Sequence, residues 1–544
     1  MEMMRISQLL PAAPGTVHGD PDREVDGVSL DSRTVTPGQL YAALPGANVH
    51  GARFAPDLIA GGVTAILTDA TGWDIISTAV DGSVLNDVSA LIVENPRSVL
   101  GYVSAAIYGT SGEPQLLGVT GTNGKTTTTY LIDGMLEALG RRTGVIGTVA
   151  TLIAGATVPS VRTTPEAPEL HALFAKMRAA DVDTCAMEVS SHALSQHRVD
   201  GAHFSVSGFT NLSQDHLDFH HSMDEYFAAK ATLFTRAFSD SAVIVVEDQW
   251  GERMVEAAQV PVRTLGRDER SEWRIIHTPG ESEFVLRFDT LTTDSTAPQM
   301  RATDSVGERD ADRAPAITLR SPLPGDFNVT NTALAAAMLV EAGVAPAALD
   351  AIGTTFTASV PGRMEIIDVS GPHAARQSHP EHLPRAIVDY SHTPDAIEKA
   401  LESLHADSDE LVIVFGAGGD RDRGKRFGMG SAAARGADVI VLTDDNPRTE
   451  DPEAIRAAIR EGIDAEVATG RARVKKIIEV ADRGAAIDQS IADADAATTV
   501  LIAGKGHETG QSVGGVVSEF DDRSRTRSAL SARLEGAQTG KVHS

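Results

Sequence analysis

The chain has 544 residues, of which 42% are hydrophobic, and it carries 47 Lys and Arg against 75 Asp and Glu, a formal net charge of -28 at pH 7. This length predicts three or four folding units, since a typical domain has roughly 150 residues. The strong negative charge disfavours nucleic acid and anionic membrane as partners. The single cysteine, Cys185, excludes an intramolecular disulfide and fits a reducing cytosol. Its place in the apolar run DTCAMEV predicts a buried strand residue, not a nucleophile.

The first 110 residues mix short strands with glycine and proline turns, and they predict a small α/β unit without a nucleotide-binding loop. The N-terminal stretch has one basic residue, and its apolar run is too short for a signal peptide. The best candidate for a membrane span begins at Ala333, but Glu341 and Pro346 interrupt it, which is typical of a packed helix. We therefore expect no membrane insertion.

A glycine-rich loop lies within GVTGTNGKTTTTYLI, residues 118–132. The usual phosphate-binding spelling is G-x-x-x-x-G-K-[ST], and Val119 stands where its first glycine belongs. Apolar residues before the loop predict a buried strand, and apolar residues at helical spacing after it predict a helix. In that context, backbone N–H groups and the Lys125 ammonium can hold phosphates. A tight turn without a ligand is the less favoured alternative.

Strand and helix patterns alternate from about residue 111 to 357 and again from 358 to 544, which predicts wound, mainly parallel sheets. We place domain boundaries at 1–110, 111–357 and 358–544, and we expect an exposed insert at 292–315 and a second insert at 372–385. In the last domain the segments AIVDY, LVIVFGAGG, DVIVLTDD and TTVLIAGKG end in Gly, Asp or both. Because parallel sheets bind ligands beyond the carboxyl ends of their strands, these ends predict a second half-site facing the loop.

Candidate metal ligands follow the loop. Glu188 ends an apolar run and could bind Mg²⁺ beside Thr126, although an ordinary strand-end charge is the alternative. His216, His220 and His221 are close in sequence. Without a cysteine we favour one metal-facing histidine over a zinc site.

Lys230 has an unusual position. Ser222 and Glu225 predict the start of a helix, on which Met223, Phe227 and Phe234 share a face with Lys230. An unpaired ammonium on an apolar face is costly. From this pattern alone, the favoured interpretation is a side chain that extends to the rim.

Seven motifs occur in a specific order: GVTGTNGKTTT, MEVSSHAL, QDHLD, YFAAK, PGRME, DYSHTPD and DDNPR. With them the chain closely resembles the Mur ligases, from LDSR near residue 30 to AGKGHE near residue 508. The resemblance implies a UDP-sugar-binding domain, a central P-loop ATPase domain and a C-terminal Rossmann-like domain that receives an amino acid. It implies that the loop holds ATP, because this family spells it TGTNGKTT. It further implies a Mg²⁺-dependent ligase of peptidoglycan synthesis, with UDP-N-acetylmuramoyl-dipeptide and a free diamino acid as substrates. We also expect a cytoplasmic protein and a monomer.

The resemblance also implies ligand contacts. The residues that would contact ATP are Gly121, Thr122, Asn123, Gly124, Lys125, Thr126, Thr127, Asn328, Arg363 and Asp389. Those that would contact the UDP-muramoyl-dipeptide are Leu30, Ser32, Ala47, Asn48, Val49, Thr163, Thr164, Ser190, Gln196 and Arg198. Those that would contact the amino acid are Arg421, Asp445, Asn446, Pro447, Arg448, Gly504 and Glu508. Arg162 stands where many members have Asn, so its contact is left open.

By the same resemblance Lys230 is carbamylated, and the carbamate would bind a second Mg²⁺ with His216 and Glu188. The implied reaction phosphorylates the γ-carboxylate of D-glutamate, and an amine then displaces phosphate. Lys125, Glu188, His216 and Lys230 would be the catalytic residues.

For the amine we predict meso-diaminopimelate. Arg448 and Arg421 suit its distal carboxylate, and Asp445 and Glu508 suit its ammonium. Lysine, ornithine and diaminobutyrate are the alternatives. Two other functions compete: a folylpolyglutamate synthase, in which LDSR and DNPR would have no role, and a non-catalytic nucleotide switch, which would not need Lys230.

Overall fold

In the computed structural model, the described residues are 3–46, 48–109, 114–159, 162–289, 316–369, 383–405 and 408–540. Three large sheets, each with helices, follow one another along this part of the chain. This confirms the predicted α/β class. The insert at 292–315, most of the insert at 372–385, and Ala47 lie outside the described residues.

The N-terminal region is built on a five-stranded sheet. The strands of the whole region are β1 (Met4–Arg5), β2 (Thr16–His18), β3 (Glu24–Val25), β4 (Gly27–Ser29), β5 (Gln39–Ala42), β6 (Ala65–Thr68) and β7 (Ser89–Ile92). Its helices are α1 (Ile6–Leu9), α2 (Ala55–Ala60), α3 (Ala70–Ala79), α4 (Gly82–Leu85) and α5 (Pro96–Tyr108), with a 3₁₀ turn at Gly51–Phe54. Strands β4 to β7 are parallel neighbours, β2 is antiparallel to β7, and β1 pairs with β3 outside this sheet.

The central region holds an eleven-stranded sheet. Its strands are β8 (Gln115–Thr120), β9 (Thr143–Ile146), β10 (Thr151–Ile153), β11 (Ala156–Val158), β12 (Thr184–Glu188), β13 (Phe204–Phe209), β14 (Ser239–Val245), β15 (Val262–Gly266), β16 (Trp273–His277), β17 (Glu283–Phe288) and β18 (Ala316–Arg320). Its helices are α6 (Lys125–Ala138), α7 (Ala167–Ala179), α8 (Ser191–Ser195), α9 (Leu217–His220), α10 (Met223–Ala231), α11 (Gln249–Ala257), α12 (Asp326–Glu341) and α13 (Pro346–Ile352), with a 3₁₀ turn at Thr232–Phe234.

Strand β8 lies inside the parallel part of the central sheet, between β12 and β13. One core cluster joins the sheet to α6 and α12 through residues such as Leu131 and Leu334, and a second joins it to α7 and α10 through Phe174 and Phe227. Cys185 is fully buried in β12, as expected. The sheet is therefore covered by helices on both faces, which explains the near-continuous apolar runs of its strands.

The C-terminal region repeats this plan with a six-stranded sheet and a separate hairpin. Its strands are β19 (Glu365–Ile366), β20 (Arg385–Asp389), β21 (Glu410–Phe415), β22 (Val439–Leu442), β23 (Lys476–Glu479), β24 (Thr498–Ala503), β25 (Gly510–Val513) and β26 (Val516–Glu519). Its helices are α14 (Pro394–His405), α15 (Lys425–Gly436), α16 (Pro452–Thr469), α17 (Arg483–Asp493) and α18 (Asp522–Gly540). Strands β20, β24, β21, β22 and β23 are parallel neighbours in this order. The loops after β20, β24 and β22 therefore leave the sheet at one edge.

Helix α5 of the N-terminal region packs closely against the central region at Gly101. A side-chain carbon on Gly101 would overlap the carbonyl oxygen of Asp200. Arg97 of the same helix forms an ion pair with the buried Glu166 at 2.7 Å. Both contacts fix the angle at which the helix meets the central region.

We expect Gly101→Ala to lower the thermal unfolding midpoint, because overpacking of this kind costs about 1–3 kcal/mol. Gly82→Ala is the matched control, since a side-chain carbon at Gly82 in helix α4 meets nothing within 4 Å. Calorimetry of both variants would check this. Equal midpoints for Gly101→Ala and the wild type would contradict the close packing.

Candidate active site

The glycine-rich loop connects β8 to α6. Gly121 has φ 146° and Gly124 has φ 88°, backbone conformations that favour glycine. A side-chain carbon on Gly121 would overlap the Thr210 hydroxyl. The path of the loop therefore requires both glycines, whereas Val119 lies inside β8 and is fully buried.

Asn211, which follows β13, holds the loop on one side. Its carbonyl accepts from the Thr122 N–H at 2.9 Å, and its side-chain oxygen accepts from the Asn123 N–H at 3.0 Å. These two loop N–H groups are thus used within the protein. Nothing in the sequence pattern singled out Asn211.

The start of α6 presents N–H groups that lack acceptors within the helix. Its first intrahelical hydrogen bond runs from Thr128 to the Gly124 carbonyl at 2.9 Å. The N–H groups of Lys125, Thr126 and Thr127 come before it, as at any helix N-terminus. They form the anion-binding end of the loop.

Two lysines donate to the carbonyl oxygen of Gly121. Lys125 Nζ lies 2.9 Å from it and 2.8 Å from the Thr122 carbonyl, and Lys230 Nζ lies 2.8 Å from it. Lys230 is 1% exposed, and its Nζ lies 4.5 Å from the centroid of the Tyr226 ring. The interpretation that Lys230 extends to the rim is therefore wrong.

The pKa of both lysines is lowered. Burial lowers the pKa of Lys230 well below its usual range, Lys125 lowers it further, and Asp215 raises it in part. Burial also lowers the pKa of Lys125, while Glu188 and Asp215 raise it. The uncharged amine of Lys230 is thus favoured far more than in water.

Glu188 ends β12 and is 1% exposed. Its Oε1 accepts from the Thr148 N–H at 2.6 Å, and its Oε2 accepts from the Thr148 hydroxyl at 3.1 Å. Thr148 fixes the carboxylate in one orientation. Glu188 raises the pKa of Lys125, so the two charges act on each other.

Asp215, in the QDHLD motif, is buried beside two histidines and Lys425. Burial alone raises its pKa, but His392, His216 and Lys425 lower it to about 2. Its Oδ2 lies 3.5 Å from His216 Nε2 and 4.0 Å from His392 Nε2. Asp215 was not among the predicted site residues, although its motif was recognised.

The three clustered histidines differ in their surroundings. His220 is buried and contacts the Ser191 hydroxyl at 2.8 Å, and His221 is exposed. The pKa of His216 is lowered by burial, although Asp215 raises it, and both lysines of the loop lower it further. His216 is therefore the histidine that lies within the charge cluster of the loop.

The predicted metal ligands comprise Thr126, Glu188, His216 and Lys230. Among the described residues no group of three or more His, Cys, Asp or Glu is placed to hold a metal ion. The predicted set contains only two residues of these types, Glu188 and His216, and its other two ligands would be the Thr126 hydroxyl and the carbamate of Lys230. Hydroxyl and carboxylate oxygens suit Mg²⁺.

The residues predicted to contact the muramoyl dipeptide are connected by hydrogen bonds. The Thr164 hydroxyl donates to the Glu188 carbonyl at 2.9 Å and accepts from the Ser190 N–H at 3.1 Å. Arg198 donates to the Thr164 carbonyl at 3.2 Å and to Gln196 at 2.7 Å. The hydroxyl of the remaining member, Thr163, lies 2.9 Å from the Thr148 hydroxyl, within hydrogen-bond distance. These side chains lie directly beside Glu188.

The residues predicted to contact UDP belong to the N-terminal region. Leu30 packs against its core, Ser32 is partly buried, and Asn48 and Val49 are exposed. Hydrogen bonds from Arg33 lower the pKa of Asp31 to about 2, and the charge of Arg162 also lowers it. Arg162, 4.0 Å from Glu166, thus lies near the LDSR motif.

The predicted nucleotide contacts outside the loop approach it from two sides. Asn331 donates to Asn328 at 3.1 Å, and its Oδ1 lies next to Gly124. Arg363 donates to the Thr126 hydroxyl at 3.3 Å and stacks 4.0 Å above the Tyr390 ring. Asp389 accepts from the Met364 N–H at 2.7 Å and lies in the same junction.

The predicted amino-acid contacts gather at the edge of the C-terminal sheet. A cleft of about 570 Å³ is lined by Asn446, Arg448, His507, Glu508 and Ser512, among others. Arg448 has φ 54° and donates to the Gly419 carbonyl at 2.6 Å.

Four further predicted members differ in their placement. Asp445 is buried, its neighbour Pro447 is buried as well, and a side-chain carbon on Gly504 would meet the Asp445 carboxylate at 2.5 Å. Arg421 is exposed, and a side-chain carbon on Gly418 would lie 3.8 Å from its Cγ and 2.9 Å from Arg448 Nη1. The two arginines thus flank Gly418.

Comparison with known proteins extends along almost the whole chain. The Mur ligase middle domain model matches residues 119–339, the Mur ligase glutamate ligase domain model matches 362–506, and the Mur ligase family catalytic domain model matches 24–105. A relative from Streptomyces avermitilis is 44% identical over 523 residues, covering 95% of this chain and 94% of its own. The chain belongs to the Mur ligase family.

Two further likenesses agree with this. A Streptomyces coelicolor relative is 42% identical over 525 residues, covering 96% of this chain and 95% of its own. It and the Streptomyces avermitilis protein are both named UDP-N-acetylmuramoyl-L-alanyl-D-glutamate--2,6-diaminopimelate ligase. A solved structure titled as this ligase has a TM-score of 0.61 and 30% identity, and the match covers 98% of this Mur ligase and 100% of that chain.

Several residues of this Mur ligase site were not predicted from the sequence. They include Thr148, Asn211, Asp215, Tyr390 and Lys505. Asp215, Tyr390 and Lys505 lie inside motifs that the chain shares with the family, so the sequence contained a signal for them, whereas Thr148 and Asn211 lie in loops without such a motif. In the part of the chain that is described, no helix has the length and apolar character needed to cross a membrane.

We expect Glu188→Gln to slow Mg²⁺-dependent turnover, because the transition state would lose several kcal/mol of stabilisation, as is common for the loss of one metal interaction. Substrate binding should change much less, because glutamine keeps the shape of the side chain. Steady-state kinetics at several Mg²⁺ concentrations would measure this. Near-normal turnover of this variant at limiting Mg²⁺ would show that Glu188 is an ordinary strand-end charge and not a metal ligand.

Proposed function

We propose that this chain is an ATP-dependent ligase that joins meso-2,6-diaminopimelate to the D-glutamate γ-carboxylate of UDP-N-acetylmuramoyl-L-alanyl-D-glutamate, in peptidoglycan precursor synthesis. The observation that carries the proposal is the match over nearly the full length to relatives named for this reaction, at 42–44% identity. The geometry supports it, since one chain contains an anion-binding loop and a cleft lined by both a positive side chain, Arg448, and a negative one, Glu508.

The reaction has two steps. An oxygen of the γ-carboxylate attacks the terminal phosphorus of ATP, and an acyl phosphate and ADP are formed. The uncharged amine of the diamino acid then attacks the acyl carbon, the bond from carbon to the phosphate oxygen breaks, and phosphate leaves. The N–H groups at the start of α6 and the Lys125 ammonium would stabilise negative charge on the transferred phosphoryl group.

Mg²⁺ would be held by Thr126, Glu188, His216 and the carbamate of Lys230, and it would neutralise phosphate charge. The protein's own part is to hold these groups in place. Thr148 orients Glu188, and Asp215 lies beside His216. The contact of Arg363 with Thr126 connects the C-terminal region to the loop, so closure of the domains would exclude water from the acyl phosphate.

The surroundings of Lys230 support its carbamylation. An uncharged amine adds to CO₂ to give an N-carboxylate and releases one proton. Burial and the charge of Lys125 disfavour an ammonium at Lys230, and the Lys125 ammonium would attract an anion formed there. The modification would replace a buried amine with a ligand for a second Mg²⁺.

The preference for meso-diaminopimelate rests on charge. Its distal end carries a carboxylate and an ammonium, whereas lysine, ornithine and diaminobutyrate end in an ammonium alone. Arg448 lines the cleft and can receive the carboxylate, and Glu508 can receive the ammonium. Over lysine, the guanidinium would lose its partner, at a cost of about 2 kcal/mol or more.

Two other functions fit the chain less well. A folylpolyglutamate synthase would have no use for a domain matched by the family model at 24–105, which contains the LDSR motif. A nucleotide switch without catalysis would not need the buried Lys230 or the cleft at Arg448. The cytoplasmic location, the monomeric state and the domain limits 1–110, 111–357 and 358–544 stay proposals.

We expect Lys230→Ala to abolish ligase activity, and short carboxylic acids to restore part of it by filling the place of the carbamate. Intact-mass measurement in CO₂-containing buffer and crystallography would detect the modification directly, with Lys176→Ala as an unmodified control. The absence of rescue by any acid, together with an unmodified Lys230, would count against carbamylation.

We expect ATP-dependent product formation from UDP-muramoyl-dipeptide to be fastest with meso-diaminopimelate when the four amines are compared. Arg448→Ala should remove most of that preference, because the distal carboxylate loses its partner. The control is the phosphate released from ATP when the dipeptide or the amine is left out, because this measures hydrolysis without ligation. A wild type that prefers an amine without the distal carboxylate would show that the specificity proposal is wrong.

A further inference from the structure

Lys505 lies in the turn after β24 and has no role in the function described so far. Its side chain is 0% exposed. The ammonium lies 3.1 Å from Asn446 Oδ1, 3.3 Å from Glu508 Oε2 and 3.8 Å from Asp445 Oδ1. These three partners are residues of the amino-acid site. A lysine buried this completely is retained at a cost in desolvation unless such oxygens surround it.

Lys505 fixes the orientation of two side chains in the cleft. Asn446 Oδ1 accepts both from Lys505 and from the Ser512 N–H, at 3.0 Å, so the Asn446 amide nitrogen must point the other way. That nitrogen donates to Glu508 Oε2 at 2.7 Å. Within the described part of the chain, Glu508 Oε1 accepts no hydrogen bond and remains for a ligand.

The charges around the cleft balance. Asp445 and Glu508 are negative, and Lys505 and Arg448 are positive. The other buried or half-buried charged groups at this edge pair among themselves: Arg483 with Asp522 at 2.7 Å, both 0% exposed, and Arg523 with Asp521 at 2.8 Å. Arg421 is exposed to solvent, which screens its charge. Counted over the buried and half-buried groups, the site is therefore neutral with Lys505 and carries one negative charge without it.

We propose that Lys505 determines the specificity of the amino-acid site, an inference that rests on the proposed function. A neutral site fits a distal end that is itself neutral, with one carboxylate and one ammonium. It disfavours a distal ammonium alone, which would leave the cleft with an uncompensated positive charge. Lys505 acts as a positioning residue through Asn446 and Glu508, and as a fixed counter-charge to the carboxylates.

The test compares kcat/KM for meso-diaminopimelate and L-lysine in the full-length enzyme. Lys505→Gln keeps a donor for Asn446 and removes the charge. The ratio of the two kcat/KM values should fall about tenfold or more, while KM for ATP stays within about twofold. Lys475→Gln is the matched control, because Lys475 is 73% exposed, lies in the same domain and pairs with Asp438.

Lys505→Met is the second variant, with the charge removed and a side chain of similar length retained. A ratio unchanged in either folded variant would overturn the proposal, since both amines would then lose the same structural support. Failure of both variants to fold would also overturn it, because the lysine would then serve the fold alone. A wild type without activity on any amine would refute the proposed function itself, before any variant is compared.

Discussion

The carbonyl oxygen of Gly121 accepts hydrogen bonds from the side-chain nitrogens of two lysines, Lys125 and Lys230, and much of the site depends on this arrangement. Burial and the charge of Lys125 both disfavour a charge on Lys230. The carboxylates of Glu188 and Asp215 offset part of this charge. Phosphate beside Lys125 and the proposed carbamate of Lys230 would add further negative charge at this place.

The junction between the central and C-terminal regions converges on the same loop. Asn123 donates to Asp395 at 3.2 Å, and Arg363 donates to the Thr126 hydroxyl at 3.3 Å. Both contacts join the loop or its helix to the C-terminal region. Any ligand that alters the charge at the loop therefore also alters the contacts that hold the two regions together. These two hydrogen bonds would allow a nucleotide bound at the loop to change how the C-terminal region is held.

The sequence was sufficient to predict the α/β class and the strand, loop and helix around Lys125, because apolar periodicity and glycine requirements are local properties. It was not sufficient for Lys230, where the same helical pattern fits both a solvent-directed and a buried side chain. The buried position depends on the Gly121 carbonyl, 109 residues away in the chain. Asn211 and Thr148 were missed for the same reason: their roles arise from partners that only the tertiary structure brings near. The roles of the site residues themselves stay predictions.

The buried lysines of the two ligand sites have different hydrogen-bond acceptors. This difference matches the different tasks of the sites, which are phosphoryl transfer at the loop and selection of the amine at the cleft. At the loop Lys125 and Lys230 share one uncharged backbone acceptor, so the charge of Lys125 remains available to attract anionic ligands of several kinds. At the cleft Lys505 contacts three side-chain oxygens, so its charge is already compensated and only the pattern of remaining charges is left for a ligand to match. A site with excess charge contributes binding strength, whereas a balanced site contributes discrimination, because a ligand with the wrong charge leaves a group unpaired. Phosphoryl transfer needs the first property and the choice of amine needs the second.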